Sequence, residues 1–130
     1  MASEKVVTLT AENFDAEVIQ SATPVLVDFW AEWCGPCRTF GPVFEKVSEE
    51  FPGVVFAKVN TEEEQALAGS FGISSIPTLM AIRENVVLYA QAGALPEQAL
   101  RELVTKVTDV DMNEVRAEVA RQAAESGDSE

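Results

Sequence analysis

The feature that most constrains the fold is an alternation of short apolar segments with segments of helical periodicity along most of the chain. The predicted strands are residues 6–9, 24–30, 54–60, 78–83 and 86–92. The predicted helices are residues 11–20, 34–50, 62–71 and 96–107. Strands linked through helices pair in parallel, whereas the last two strands flank a two-residue turn and form a hairpin. The order predicts an α/β fold with a central mixed five-stranded sheet flanked by helices on both faces.

Local signals support this order of elements. Glu84 and Asn85 stand between the last two strands, and asparagine tolerates the positive φ that a tight hairpin turn requires. Thr10 is a candidate N-cap for the first helix. Asn13 stands three residues later, where a glutamate or glutamine would complete a capping box. The segment 24–30 is a continuous apolar run, which is typical of a strand covered on both faces. We therefore expect helices on both sides of this strand.

Charge and residue counts exclude several classes of function. The 130 residues include 22 acidic and 9 basic ones, a formal net charge of -13, which disfavours nucleic acid and anionic membranes as partners. Without histidine, the chain cannot form a Ser-His-Asp triad, a Cys-His protease pair or a histidine-based zinc site. Neither a signal peptide nor a run of ~20 apolar residues, the length of a membrane span, is visible. We therefore expect a cytoplasmic protein, in a compartment where thiols are kept reduced.

Both cysteines lie in the sequence Trp33-Cys34-Gly35-Pro36-Cys37, at the predicted start of a helix. This spacing brings the two Cα atoms within the roughly 4.4–6.8 Å that a disulfide requires. The closed ring is so small that the bond adds little stability, which favours a reversible disulfide. Helix N–H groups favour the thiolate of Cys34, and the thiolate is the attacking species in disulfide exchange. Cys37 lies deeper in the helix, is predicted to be better shielded from solvent than Cys34, and is placed to resolve a mixed disulfide.

Two other interpretations of the cysteine pair stay open on the residues alone. The thiols could be buried and inert. They could also form half of a metal or iron–sulfur site, which needs about four nitrogen or sulfur ligands. Because the chain has two thiols and no imidazole, such a site would need a second chain, for example in a dimer that shares a metal through two cysteine pairs.

Two charged residues interrupt apolar strand segments. Asp28 lies in the segment 24–30, where burial disfavours the ionised carboxyl and raises its pKa. A raised pKa makes Asp28 a candidate proton acceptor for the Cys37 thiol near neutral pH. The alternative is a strand-end carboxylate that points to solvent or makes a structural hydrogen bond. Lys58 lies in the segment 54–60, where a lysine can run its stem along apolar side chains and keep its charge in water.

Several segments resemble the thioredoxin family, in the same order and at similar intervals. The segment that resembles the family's active-site signature is Val25-Leu-Val-Asp-Phe-Trp-Ala-Glu-Trp-Cys-Gly-Pro-Cys-Arg38. Further similar segments are Phe56-Ala-Lys-Val-Asn60, Phe71-Gly-Ile73, Ile76-Pro-Thr78 and Gly93-Ala94. The resemblance covers about residues 6–107. It implies a thioredoxin fold and the activity of a protein-disulfide reductase.

The resemblance implies a role for each residue of the cysteine motif. Cys34 is implied to be the nucleophile that attacks a client disulfide. Cys37 is implied to resolve the mixed disulfide that this attack produces. Gly35 and Pro36 match the loop of the reducing members of the family, so the implied direction of the reaction is reduction.

Residues outside the motif also match the family. Asp28 matches its buried acid, and Lys58 matches the buried lysine near that acid. A flat apolar surface that binds clients is implied at Trp33, Ile76, Pro77 and Gly93. The peptide bond before Pro77 is implied to be cis. On the residues alone, Pro77 is a proline at the start of a strand, Ile76 is a core residue and Gly93 is a turn.

These roles imply an oxidoreductase of electron transport and cell redox homeostasis, which passes electrons from thioredoxin reductase to disulfide-containing client proteins. No cofactor is implied, because the electrons reside in the Cys34–Cys37 pair, and we expect a monomer. The alternative is a thioredoxin-fold binding module or subunit in which redox activity is incidental.

The chain is predicted to divide after residue 107. Residues 1–107 form the thioredoxin domain, and residues 108–130 form an acidic extension whose seven acidic and two basic residues give a net charge of -5. Asp111 can cap a short helix in this extension. The apolar face of that helix is predicted at Met112, Val115, Val119 and Ala123. Residues 126–130 are predicted to be disordered.

Overall fold

The computed structural model describes residues 5–128. Within this range, five strands form one mixed sheet. The strands are β1 (Val6–Thr8), β2 (Val25–Trp30), β3 (Val55–Asn60), β4 (Thr78–Arg83) and β5 (Val86–Ala92). They lie in the order β1-β3-β2-β4-β5. β3 is parallel to β1 and β2, while β4 is antiparallel to β2 and β5. The predicted mixed sheet is confirmed, with the apolar strand β2 at its centre.

One helical segment follows each of β1, β2 and β3, and two helices follow β5. They are a π-helical turn (Asp15–Ile19), α1 (Gly35–Ser48), α2 (Gln65–Ser70), α3 (Glu97–Asp109) and α4 (Met112–Asp128). Within the described residues, no helix is long and apolar enough to cross a bilayer. The first helical turn and α2 are shorter than the predicted helices 11–20 and 62–71.

The shortening after β3 has a local cause. The side-chain oxygen of Asn60 accepts hydrogen bonds from the backbone N–H groups of Glu62, at 2.9 Å, and Glu63, at 3.2 Å. A side chain that binds backbone groups in this way offers the chain an alternative to the helix. A turn therefore occupies the first residues of the segment predicted as helical, and α2 begins at Gln65.

The hydrogen bonds predicted for Thr10 and the hairpin turn are both present, but Thr10 precedes a turn and the N-cap residue of the first helical turn is Phe14. Thr10 N–H donates to Asn13 Oδ1 at 2.7 Å, and Asn13 N–H donates to Thr10 Oγ1 at 3.3 Å, which is the reciprocal pattern of a capping box. Between β4 and β5, Glu84 and Asn85 have φ values of 52° and 66°. Positive φ at both central residues is the geometry of a tight hairpin turn.

β2 separates two apolar cores, because successive strand residues point to opposite faces of the sheet. The core beneath α1 and α3 includes Leu26, Phe40, Phe44, Phe56 and Leu100. The core on the other face includes Leu9, Val25, Val27, Phe29 and Val59. Asp28 and Trp30 follow Leu26 at intervals of two residues. Their side chains therefore lie on the face that α1 and α3 cover.

The end of α3 is fixed by a side chain from the sheet. Nη1 of Arg83, the last residue of β4, lies 3.0 Å from each of the carbonyl oxygens of Val107, Thr108 and Val110 and donates to them. The last carbonyls of a helix have no partner within the helix. Arg83 thus supplies donors where α3 ends and the chain turns into α4.

α4 begins where the sequence predicts and continues further than expected. Asp111 Oδ1 accepts a hydrogen bond from the N–H of Asn113 at 2.9 Å, as a capping residue does. Met112 is buried and Val115 is half-buried, whereas the following side chains are exposed as far as they are described. The sequence predicts disorder over residues 126–130, but the helix continues to Asp128. Residues 129 and 130 lie outside the described residues.

Candidate active site

Cys34 and Cys37 lie where β2 leads into α1, and they form a disulfide with their Cα atoms 5.2 Å apart. Cys34 is the N-cap residue of α1, with an extended backbone, and Cys37 lies in the first turn of this helix of 14 residues. The N–H of Cys37 lies 3.2 Å from the Cys34 sulfur and points to it. This donor and the helix N-terminus both favour negative charge on the Cys34 sulfur once the disulfide is reduced.

Exposure does not distinguish the two cysteines, although the sequence predicts better shielding of Cys37. Cys34 is 4% exposed and Cys37 is 3% exposed. Their surroundings differ instead. The Cys34 sulfur lies 3.8 Å from the carbonyl oxygen of Ile76, whereas Cys37 lines a cleft between α1 and the sheet. The two sulfurs therefore meet different parts of the molecule.

The residues predicted to bind clients come together beside Cys34. The peptide bond between Ile76 and Pro77 is cis, as the resemblance predicts. The N–H of Gly93 donates to the carbonyl oxygen of Pro77 at 2.7 Å, and its φ of 105° is a value that residues with a side chain rarely adopt. Trp33 is 69% exposed and lines a groove together with Ile76. Glycine is thus required at the position that closes this patch.

Asp28 is buried on β2, with 4% of its surface exposed. Within the described part of the chain, no hydrogen-bond partner reaches its Oδ1 atom. Burial raises the pKa of Asp28 from 3.8 to about 7, and the positive charge of Lys58 partly offsets that rise. The carboxyl can therefore take up and release a proton near neutral pH, as the sequence predicts.

Lys58 lies opposite Asp28 in the register of β2 and β3. Its ammonium group lies over the ring of Trp30, 5.5 Å from the ring centroid, in a cation–π contact. Lys58 and Trp30 both line a cleft of about 150 Å³ that also reaches Cys37. The cleft is open to solvent, so the interior side of Cys37 is not sealed within the core.

Sequence reasoning missed Trp30 and the acidic residues around Trp33. Trp30 follows Asp28 by two residues in the same strand, and this interval places both on one face of the sheet. Glu32 follows β2 and Glu62 follows β3, and the carboxyl ends of two parallel neighbours lie at the same edge of a sheet. These two intervals are the signals that could have found them.

A metal centre was one of the alternatives for the cysteines. Among the residues that the structure describes, no group of three or more His, Cys, Asp or Glu side chains could hold a metal ion. The two sulfurs are bonded to each other, whereas metal ligation requires thiolates. A metal shared between two chains is a separate possibility, which the metal content and colour of the purified protein test.

Comparisons with known proteins agree with this geometry. The family model described as Thioredoxin matches residues 5–106. A protein named "Putative thioredoxin 2" from Streptomyces coelicolor is 56% identical over 121 residues, which are 93% of this chain and 90% of the relative. A thioredoxin from Haemophilus influenzae is 41% identical over 95 residues, 72% of this chain and 89% of the relative. A solved structure of a mutant thioredoxin from Halobacterium salinarum has a TM-score of 0.75 at 30% identity, and the alignment covers 85% of this chain and 98% of that chain.

Proposed function

Because the chain belongs to the thioredoxin family and is therefore a thiol–disulfide oxidoreductase, we propose that it reduces the disulfides of client proteins in the cytoplasm. It receives electrons from thioredoxin reductase, acts as a monomer in cell redox homeostasis and needs no cofactor besides its own cysteine pair. The observation that best supports this proposal is the Cys34–Cys37 disulfide at the start of α1, beside the exposed ring of Trp33.

The two cysteines act in successive steps of the reaction. In the reduced protein, the Cys34 thiolate attacks one sulfur of the client disulfide, which forms a mixed disulfide and releases the first client thiolate. The Cys37 sulfur then attacks the Cys34 sulfur, which re-forms the Cys34–Cys37 bond and releases the second client thiolate. Two electrons pass to the client, and two protons complete its thiols. The reductase returns two electrons to the disulfide for the next cycle.

Asp28 accepts the proton that Cys37 must lose before it attacks. The support is its pKa of about 7, its burial and its position on the face of β2 that α1 covers. Burial raises this pKa, and the positive charge of Lys58 on the neighbouring strand offsets part of the rise because it favours the ionised carboxyl. The cleft lined by Cys37, Trp30 and Lys58 opens to solvent and provides a path out for the proton.

The client lies across Trp33, Ile76, Pro77 and Gly93. Many unrelated polypeptides can bind such a surface, because its contacts are apolar or made by the backbone. Pro36 restricts the loop between the cysteines, since its fixed φ suits the first turn of a helix. Gly35 is exposed, and a Cβ added there would meet no atom within 4 Å, so this part of the loop is open to an approaching client.

Unequal roles for the cysteines lead to a direct test. Cys37→Ser keeps the attacking sulfur and removes the resolving one, so mixed disulfides with clients should accumulate in an extract and disappear on reduction. Cys34→Ser is the matched control and should trap no client. Non-reducing electrophoresis of the affinity-purified variants measures both. Equal trapping by the two variants would show that the assignment of roles is wrong.

A thioredoxin-fold binding module is the second candidate function. The observation that favours it is α4, whose side chains after Val115 are exposed as far as they are described. The reduction of insulin by the protein with a dithiol or a reductase decides between the two. A protein that folds and does not reduce insulin is the result expected of a binding module.

A further inference from the structure

Trp30 contacts the charged side chain that acts on Asp28, which is Lys58. The Lys58 ammonium group lies over the indole, 5.5 Å from the ring centroid. Lys58 is opposite Asp28 in the register of β2 and β3, and Trp30 follows Asp28 by two residues, so the three side chains share one face of the sheet. Among the described residues, Lys58 forms no salt bridge with Asp28 or any other carboxylate. The indole is therefore the contact that holds the ammonium group.

A hydrogen bond of the indole does not explain why residue 30 is a tryptophan. The backbone of Trp30 is fixed at the end of β2, where its carbonyl oxygen accepts the N–H of Thr61 at 2.9 Å and the Thr61 hydroxyl at 3.3 Å. The indole N–H is buried, and no acceptor reaches it within the part of the chain that the structure describes. A buried tryptophan usually bonds this group. The electrostatic contact that the ring does make is the one with Lys58.

The positive charge of Lys58 acts on both groups of the proposed proton transfer. It favours the ionised carboxyl of Asp28 across the pairing of β2 and β3. Lys58, Trp30 and Cys37 also line one cleft, of about 150 Å³. A cation on this cleft favours the Cys37 thiolate, because nearby positive charge stabilises a thiolate. The position of the ammonium group therefore affects the proton donor as well as the acceptor.

Other charges around the cleft do not replace that of Lys58. Arg38 and Glu45 of α1 line the cleft too, and their opposite charges offset each other. On the β4 side, the residue paired with Asp28 is Leu79, which is uncharged. The buried residues of α3 on this face are also apolar. Lys58 is thus the charge to which Asp28 responds.

We propose that Trp30 is a positioning residue for the second step of the reaction, because its indole holds the Lys58 ammonium group beside the proton acceptor and the proton donor. This proposal rests on the proposed function, since it requires that Asp28 accepts the Cys37 proton. The step itself is unchanged. The proton passes from the Cys37 sulfur to the carboxylate, the new thiolate attacks the Cys34 sulfur, and the client sulfur leaves with the electron pair of the broken bond. Without the aromatic face, the flexible lysine stem carries its charge into water, and the carboxyl and the thiol both hold their protons more tightly.

The first test measures the pH at which Asp28 is half-ionised in the oxidised protein, where both cysteines are in the disulfide and do not titrate. NMR of isotope-labelled aspartate carboxyls gives this midpoint, which should lie near pH 7 in the parent. Lys58→Met removes the charge, keeps an apolar stem and should raise the midpoint by about one pH unit. The same substitution should raise it less in the Trp30→Phe variant, whose ring is a weaker cation–π partner, and less than half as much in the Trp30→Leu variant.

This comparison isolates positioning, because any change in burial that a Trp30 substitution causes is present with and without Lys58. Equal effects of Lys58→Met in the parent and in the folded Trp30 variants would show that Trp30 does not position Lys58. Lys46→Met is the matched control, since Lys46 is exposed and pairs with Glu97, and it should leave the midpoint unchanged in every background.

The second test follows the resolving step by itself. An aromatic disulfide reagent releases coloured nitrothiobenzoate twice from the reduced protein, first when Cys34 attacks and again when Cys37 resolves, and the second release does not depend on reagent concentration. At pH 6, below the midpoint of Asp28, Lys58→Met should slow the second release about tenfold in the parent and less than about threefold in the Trp30→Leu variant. The first release should not change.

The two tests keep the possible failures distinct. If the parent releases no nitrothiobenzoate, the proposed function fails, and the NMR comparison still decides whether Trp30 positions Lys58. If both releases occur and Lys58→Met slows the second one equally in the parent and in the Trp30→Leu variant, the reductase activity stands and the role of Trp30 is wrong.

Discussion

Asp28 shows how one buried carboxyl links chemistry to stability. Its pKa is about 7 in the folded protein, and the ordinary value of 3.8 applies to the unfolded chain. The folded protein therefore holds this proton more tightly than the unfolded chain does. The resulting stability is fully present below pH 3.8, declines as the pH rises, and is lost above about pH 7. The proposed proton acceptor of Cys37 thus costs stability near neutral pH, where it is expected to act.

Asp28→Asn should remove this cost. The amide keeps the shape of the carboxyl and does not ionise, so the free energy of unfolding should exceed that of the parent by up to about 4 kcal/mol at pH 9. At pH 5 the gain should be less than half as large. Urea unfolding of the oxidised proteins across this pH range measures the difference, and Glu102→Gln, an exposed carboxyl on α3, should show no such trend. A gain that does not vary with pH would contradict the ionisation of a buried carboxyl.

The same Asp28→Asn variant tests the proposed proton transfer. We expect slower reduction of insulin near neutral pH, because the Cys37 thiol loses its proton acceptor. The rates of parent and variant should converge at high pH, where thiols ionise without help. Identical rates from mildly acidic to basic pH would show that Asp28 has no role as a base.

At the scale of the element, strands were more predictable than helices. Each strand was predicted to within about a residue. Apolar runs mark the buried strands β2, β3 and β4, and the turn at Glu84 and Asn85 marks where the partly exposed β5 begins. Helix ends depended on side-chain contacts that composition does not reveal, such as the Asn60 hydrogen bonds that delay α2. The long α4 was underestimated, since a helix of mostly exposed residues leaves only a weak apolar pattern.

Some features of the candidate site were predicted from the sequence, and others were not. The cysteine motif and Asp28 were visible in the sequence, because their residue types are unusual in those contexts. The contact between Lys58 and Trp30 and the acidic residues around Trp33 were not visible. Both depend on β2 and β3 lying side by side in parallel, which brings together residues that are far apart in the chain.

The hydrogen bonds from Arg83 to the end of α3 lead to a prediction about stability. Arg83→Met keeps an apolar stem and removes the donor from the carbonyls of Val107, Thr108 and Val110. We expect a loss of about 1–3 kcal/mol in the free energy of unfolding, because partly buried and exposed carbonyls lose their hydrogen bonds to a charged donor. Arg121→Met is the matched control, because Arg121 is paired with Glu118 of its own helix and should change stability by less than about 0.5 kcal/mol. Equal losses in the two variants would show that Arg83 does not fix the end of α3.

At the scale of the whole molecule, α4 and the cysteines lie at opposite ends of the sheet. β2 runs towards Cys34 and ends at Trp30, while β4 is antiparallel to β2 and ends at Arg83. The contacts of the α3–α4 junction are with Arg83, and Arg116 of α4 pairs with Glu84 in the adjoining turn. We therefore propose that residues 108–130 are dispensable for disulfide reduction, although not all of them are without effect on stability.

Two truncations test this division of the chain. A chain that stops after Ala117 keeps Met112, Val115 and Arg116 and loses residues that are exposed as far as they are described, so its stability should stay within about 0.5 kcal/mol of the full chain. A chain that stops after Thr108 loses one carbonyl partner of Arg83 and the burial of Met112, which together should cost about 2–4 kcal/mol.

Both truncated chains should still fold and reduce insulin at the parent's rate, because the contacts shown for this segment with Arg83 and Glu84 lie at the end of the sheet remote from Cys34. Urea unfolding and insulin reduction measured on the same preparations separate the two effects. A chain ending at Thr108 that is folded and inactive would place the extension in the active assembly, for example through a second copy of the protein. A chain ending at Ala117 that is as unstable as the shorter one would mean that the exposed part of α4 is held by contacts beyond the α3–α4 junction.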